Sequence, residues 1–135
     1  MSFVLHERLA ADTLPVADLG LCRVRLMREA RFPWAVLVPM RAGLREFHEV
    51  AAADKAALLD DIDRVSLALK EETGAFKLNV GALGNLVPQL HVHVVARFEG
   101  DAAWPGPVWG AGAAMPYAQG KGEDLAARLA ARLVG

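Results

Sequence analysis

The segment Gln89-Leu90-His91-Val92-His93-Val94-Val95 constrains the fold more than any other part of the chain. In an extended strand successive side chains alternate faces, so the segment puts Gln89, His91 and His93 on one surface and Leu90, Val92 and Val94 on the other. Such a strand needs a core behind its apolar face and gathers two imidazoles and an amide in front. Two of the four histidines of the chain fall here, among β-branched neighbours suited to a rigid strand. Pro88 marks its start, because a missing backbone donor is tolerated at a strand end. The pattern reads as a site.

Composition narrows what that site serves. A chain of 135 residues, 54% of them hydrophobic, is long enough for one domain with a large core, and residues 1–135 are read as one. The apolar runs, such as Ala35 to Met40 and Val92 to Ala96, fall far short of the roughly 20 residues that cross a bilayer, so no membrane partner is expected. The N-terminus lacks a basic region followed by a long apolar stretch, which makes the cytoplasm the simplest expected location. A single cysteine, Cys22, excludes an internal disulfide and a multi-cysteine zinc site. A formal net charge of −1 argues against a nucleic-acid polymer as partner, since such binders carry a clear basic excess. A small anionic ligand needs only a few local donors.

The order of elements follows from periodicity. Cys22 to Met27 alternates apolar with basic residues, Arg28 to Arg31 is turn-like, and Trp34 to Val38 is a nearly continuous apolar run ended by Pro39. Together these predict an antiparallel hairpin whose second strand is central. Leu58, Leu59, Ile62, Val65 and Leu69 recur at three- to four-residue steps within Asp54 to Thr73, predicting an amphipathic helix with Gly74 as its C-cap. Lys77 to Val80 is a short strand, and Gly81 to Asn85 a glycine-containing loop before the histidines. Glu99 to Gly122, rich in Gly, Pro and Ala, reads as an ordered but irregular excursion carrying Trp104 and Trp109. Leu125, Leu129 and Leu133 form a stripe behind Glu123 and Asp124, predicting a terminal helix. Hairpin connections with few helices favour an α+β fold with an antiparallel sheet of about five strands.

This ordered set resembles the histidine triad (HIT) superfamily, whose signature is His-φ-His-φ-His-φ-φ with φ apolar. Gln89 to Val95 fits that frame with Gln89 in place of the first histidine. Pro33 with Val36-Leu37-Val38-Pro39, Asn79, and Gly84-Asn85 are similar to further family positions. The resemblance covers about residues 20–98, with 99–135 as a C-terminal extension. It implies a HIT-like fold, a homodimer formed through the helix and an edge strand, and a hydrolase or transferase acting on the α-phosphate of a nucleotide conjugate. A dinucleoside polyphosphate or nucleoside phosphoramidate would be cleaved through a nucleotidyl-histidine intermediate.

Carried over by position, the resemblance makes His91 the nucleophile and gives His93 the tasks of binding phosphate and helping to protonate the leaving group. Gln89 takes the remaining triad place. Asn85 stands where the family usually has a phosphate-contacting glutamine, Asn79 matches an asparagine near the ligand, and Gly84 and Trp34 join them as the substrate-binding candidates. Trp34 stands where many members have a further supporting histidine, and Leu26-Met27-Arg28-Glu29 occupies the region of a ribose-contacting polar residue. Covalent catalysis by a neutral imidazole needs an acceptor on its other ring nitrogen, for which a backbone carbonyl suffices, and no metal or cofactor.

Plainer readings stand beside these. His91 and His93 could be structural strand residues, two legs of a metal-dependent hydrolase site, or part of a nucleotide- or phosphometabolite-binding protein with weakened catalysis. Asn85 and Asn79 could be turn residues, Gln89 could satisfy a backbone group, Trp34 could cover the core, and Trp104 and Trp109 could cover the core or a dimer contact.

Overall fold

The computed structural model describes residues 2–134. In chain order these form α1 (Glu7–Asp12), β1 (Thr13–Asp18), β2 (Cys22–Met27), β3 (Trp34–Pro39), a 3-10 turn (Phe47–Glu49), α2 (Ala52–Thr73), β4 (Lys77–Gly81), β5 (Val92–Arg97) and α3 (Lys121–Val134). The strands make one antiparallel sheet in the order β1-β2-β3-β5-β4. The α+β class, the hairpin, the long helix and the terminal helix are as the sequence predicts, and β3 is central, with every residue buried.

Alternation along the central strands builds the two faces of the sheet. Ala35 and Leu37 of β3, with Val92, Val94 and Ala96 of β5, join the core that receives α2 and α3. Trp34, Val36 and Val38, with Val95, belong to a second apolar cluster on the opposite face, shared with Leu9, Phe32 and Val108. His93 is one pleat before Val95 and so lies on this second face.

Several boundaries differ from the sequence reading. The histidine strand begins at Val92, not at Pro88: its register with β3 runs from Leu37 opposite Val92 to Trp34 opposite Val95. Residues 88–91 form an irregular lead-in with a bend at Gln89, held where the Leu90 amide donates to the Leu44 carbonyl at 2.9 Å. The helix α1 and the edge strand β1 had no counterpart in the periodicity. β1 carries Pro15 and an irregular register between Pro15 and Ala17, features that an edge tolerates and that erase a period-2 pattern. On α2, Leu59 is exposed, and the buried stripe is Leu58, Asp61, Val65, Ala68 and Leu69. Gly74 ends that helix in the left-handed conformation at φ 69°, as expected of a C-cap. The stripe Leu125, Leu129 and Leu133 of α3 is buried as read.

Among the described residues, no helix is long and apolar enough to cross a membrane.

Candidate active site

His91 and His93 form the floor of a cleft of about 660 Å³ on the second face of the sheet. Four segments wall it: Arg8 to Asp12 of α1, the β2–β3 turn from Met27 to Arg31, the loop from Leu83 to Val87, and part of the excursion between Val108 and Ala114. The two imidazoles are 7% exposed each, and their ring centroids are 4.8 Å apart at 70°.

Each ring is oriented by one hydrogen bond whose partner leaves no choice of role. The Gln89 carbonyl, which can only accept, lies 2.7 Å from His91 Nδ1, so that nitrogen carries the proton and Nε2 keeps its lone pair. Trp34 Nε1, which can only donate, lies 2.9 Å from His93 Nδ1, so that nitrogen accepts and the proton of the neutral ring sits on Nε2. Neighbouring histidines thus hold opposite tautomers: one offers a lone pair to the cleft, the other an N–H. Burial, with a smaller contribution from His91, lowers His93 from 6.5 to about 4, because the charged ring would lose its hydration. Near neutral pH this ring is uncharged.

The other residues singled out in the sequence divide. Gly84 and Asn85 do line the cleft; Gly84 has φ 73°, a turn geometry that favours glycine, and Asn85 is exposed on its loop. Trp34 lines the cleft as well. Gln89 does not bring its amide there. Its Oε1 accepts from the His6 amide at 2.8 Å and its Nε2 donates to the Val4 carbonyl at 2.8 Å, so the side chain staples the N-terminal segment to the lead-in. The period-2 face expected to unite Gln89 with the histidines fails because residue 89 precedes the strand. Asn79 is also outside the cleft lining: its Oδ1 accepts from Arg97 Nη1 at 2.8 Å. That guanidinium is 1% exposed, pairs with Asp101 at 2.8 Å and lies against the Phe32 and Trp104 rings. Glu29 is equally occupied, by Arg31 at 2.7 Å and by the Met115 amide at 3.1 Å.

Trp109 is the site residue least visible in the sequence. Its ring stands edge-on to His93 at 5.5 Å and to Trp34 at 6.1 Å, and it packs over Gly81, whose absent side chain leaves room: a Cβ there would lie 3.6 Å from the indole. Its Nε1 is buried without a hydrogen-bond partner among the described residues. Nothing periodic marks Trp109; only its place in a Gly-rich excursion long enough to fold back over the sheet offers a signal. Among the described residues, no three or more His, Cys, Asp or Glu side chains gather as metal ligands.

A family model, the HIT domain, matches residues 8–100. The chain belongs to the HIT family. A histidine triad protein of Sinorhizobium meliloti 1021 is 50% identical and superposes with a TM-score of 0.93 over 97% of each chain. A histidine triad protein of Bradyrhizobium japonicum is 43% identical, with a TM-score of 0.95 over 98% of this chain and 99% of that one. Another from Marinobacter aquaeolei VT8 is also 43% identical, with a TM-score of 0.95 over 99% and 98%. The comparison with curated proteins gave no match. In this HIT protein the family model ends near Gly100, yet Trp109 and the segment around it complete the cleft.

Proposed function

We propose that this HIT protein binds a nucleotide conjugate in the cleft and transfers its nucleotidyl group through His91. The observation that carries the reading is the pair of hydrogen bonds at His91 Nδ1 and His93 Nδ1, from which the opposed tautomers follow. His91 Nε2 is a neutral nucleophile whose far nitrogen is held by the Gln89 carbonyl, and His93 Nε2–H is a donor suited to a non-bridging phosphate oxygen. As the α-phosphorus is attacked, the His91 ring gains positive charge, which its Nδ1–H spreads onto the Gln89 carbonyl. Water then displaces the nucleotide from His91 and restores the lone pair. Asn85 and the Gly84 loop face the same space and are proposed to hold phosphate oxygens. Asn79 and the Gln89 amide are proposed to act as supports, through Arg97 and the N-terminal segment respectively. The chemistry calls for no metal or cofactor, because the charge that develops lies on oxygens within reach of N–H donors.

A homodimer is part of the same proposal. Phe76 and Val80 stand 59% and 50% exposed at the open edge formed by β4, and such an edge is a template for strand pairing.

The test is a panel of dinucleoside polyphosphates and nucleoside phosphoramidates offered to the wild type and to His91→Ala. Turnover lost by at least about a thousandfold with nucleotide binding retained supports the reading. Full turnover by His91→Ala contradicts it, and binding without turnover by the wild type would make the protein a binding module.

A further inference from the structure

The bond between Trp34 and His93 has a consequence for which conjugates the cleft can cleave. An indole N–H never accepts, so His93 can take up a second proton only if its Nδ1–H turns against Trp34 Nε1 at 2.9 Å. That would break the bond and leave a buried indole donor without a partner, since Trp34 is 7% exposed. No described carboxylate is hydrogen-bonded to either ring to offset the cost. The rings packed around His93 are His91 at 4.8 Å, Trp109 at 5.5 Å and Trp34 at 5.6 Å; the carboxylates that line the same cleft, Asp12 and Glu29, are paired with Arg8 and Arg31. Burial lowers the ring to about 4 as well.

We propose that Trp34 is a positioning residue that locks His93 as a neutral Nε2–H donor, and that the cleft therefore favours leaving groups that depart as stable oxyanions, phosphoric anhydrides over phosphoramidates. The inference rests on nucleotidyl transfer to His91. In the first step the His91 Nε2 lone pair forms the P–N bond, and the bond from phosphorus to the leaving group breaks with its electron pair. A departing phosphate oxygen holds that pair without a proton. A departing amine nitrogen must be protonated first, and a neutral imidazole N–H is far too weak an acid for that task. In the second step water attacks phosphorus, the P–N pair returns to Nε2, and the proton released from water goes to solvent or to the released phosphate.

The experiment compares kcat/KM for a dinucleoside polyphosphate and for a nucleoside phosphoramidate with the same base, in the wild type and in Trp34→Phe, which keeps a ring but removes the donor. Loss of a general acid is worth about a hundredfold or more, so the wild type is expected to prefer the anhydride by at least about that factor. Trp34→Phe should narrow the gap by about tenfold or more. Nitrogen NMR of the wild type at neutral pH gives an independent readout, with His93 expected to show a bare Nδ1 and a protonated Nε2. A phosphoramidate cleaved as well as the anhydride, or a protonated Nδ1 on His93, overturns the inference. Absence of a His91 adduct with either substrate would overturn nucleotidyl transfer itself, while the nitrogen signals decide the Trp34 lock on their own.

Discussion

His93 carries a stability cost that depends on pH. Folding holds it at about 4 by burial and by the neighbouring His91, against 6.5 for an ordinary histidine. Below about pH 6.5 the unfolded chain takes up a proton that the folded chain refuses until about pH 4. This contribution is therefore complete above the unfolded value and is lost as pH falls through that window, by roughly 3 kcal/mol in total. Urea unfolding of the wild type should lose stability more steeply between pH 6.5 and 4 than His93→Gln, and equal slopes would contradict the buried neutral ring. At this scale the sequence disclosed the two histidines and the Gly84-Asn85 loop, because their residue types and local order carry the chemistry. It did not disclose that Trp34 meets His93 Nδ1, since the pairing depends on cross-strand register. Nor could alternation show that the Gln89 amide turns to Val4 and His6, because the strand starts three residues later.

Among the elements, α2 is joined to the sheet by a polar contact that a search for apolar periodicity passes over. Asp61 lies on the buried stripe, and its Oδ2 accepts from the Leu21 and Cys22 amides at 3.0 and 2.9 Å, satisfying two donors at the start of β2 that have no other route to water. Asp61→Ala should cost about 2–4 kcal/mol in urea unfolding, because both amides are left buried and unpaired. Asp61→Asn, which keeps an acceptor oxygen, should recover part of that. A loss under about 0.5 kcal/mol for Asp61→Ala would show that the contact does not hold the helix. Helices α2 and α3 were legible because their buried residues repeat at the helical period. β1 was not, because Pro15 and the irregular register beside it remove the period, and its pairing with β2 is a long-range fact.

For the whole molecule, the two ends of the sheet are unlike. β1 is blunted by its proline and register shift, whereas Val80 of β4 and Phe76 just before that strand are exposed. Light scattering should give twice the chain mass, and Val80→Lys at the open edge should shift the protein toward monomer; a monomeric wild type would contradict the pairing. The family frame accounts for the sheet, α2 and the histidines, while the excursion after Gly100 adds Trp109 over the site, a long-range closure with no local signature. The central claim concerns His91. Wild-type protein mixed with a dinucleoside polyphosphate, quenched within a single turnover under mildly alkaline denaturing conditions and digested for mass spectrometry, should yield a nucleotidyl adduct on the peptide containing His91, and none in His91→Ala. Single-turnover product release with no adduct on His91, or an adduct on another residue, would contradict it.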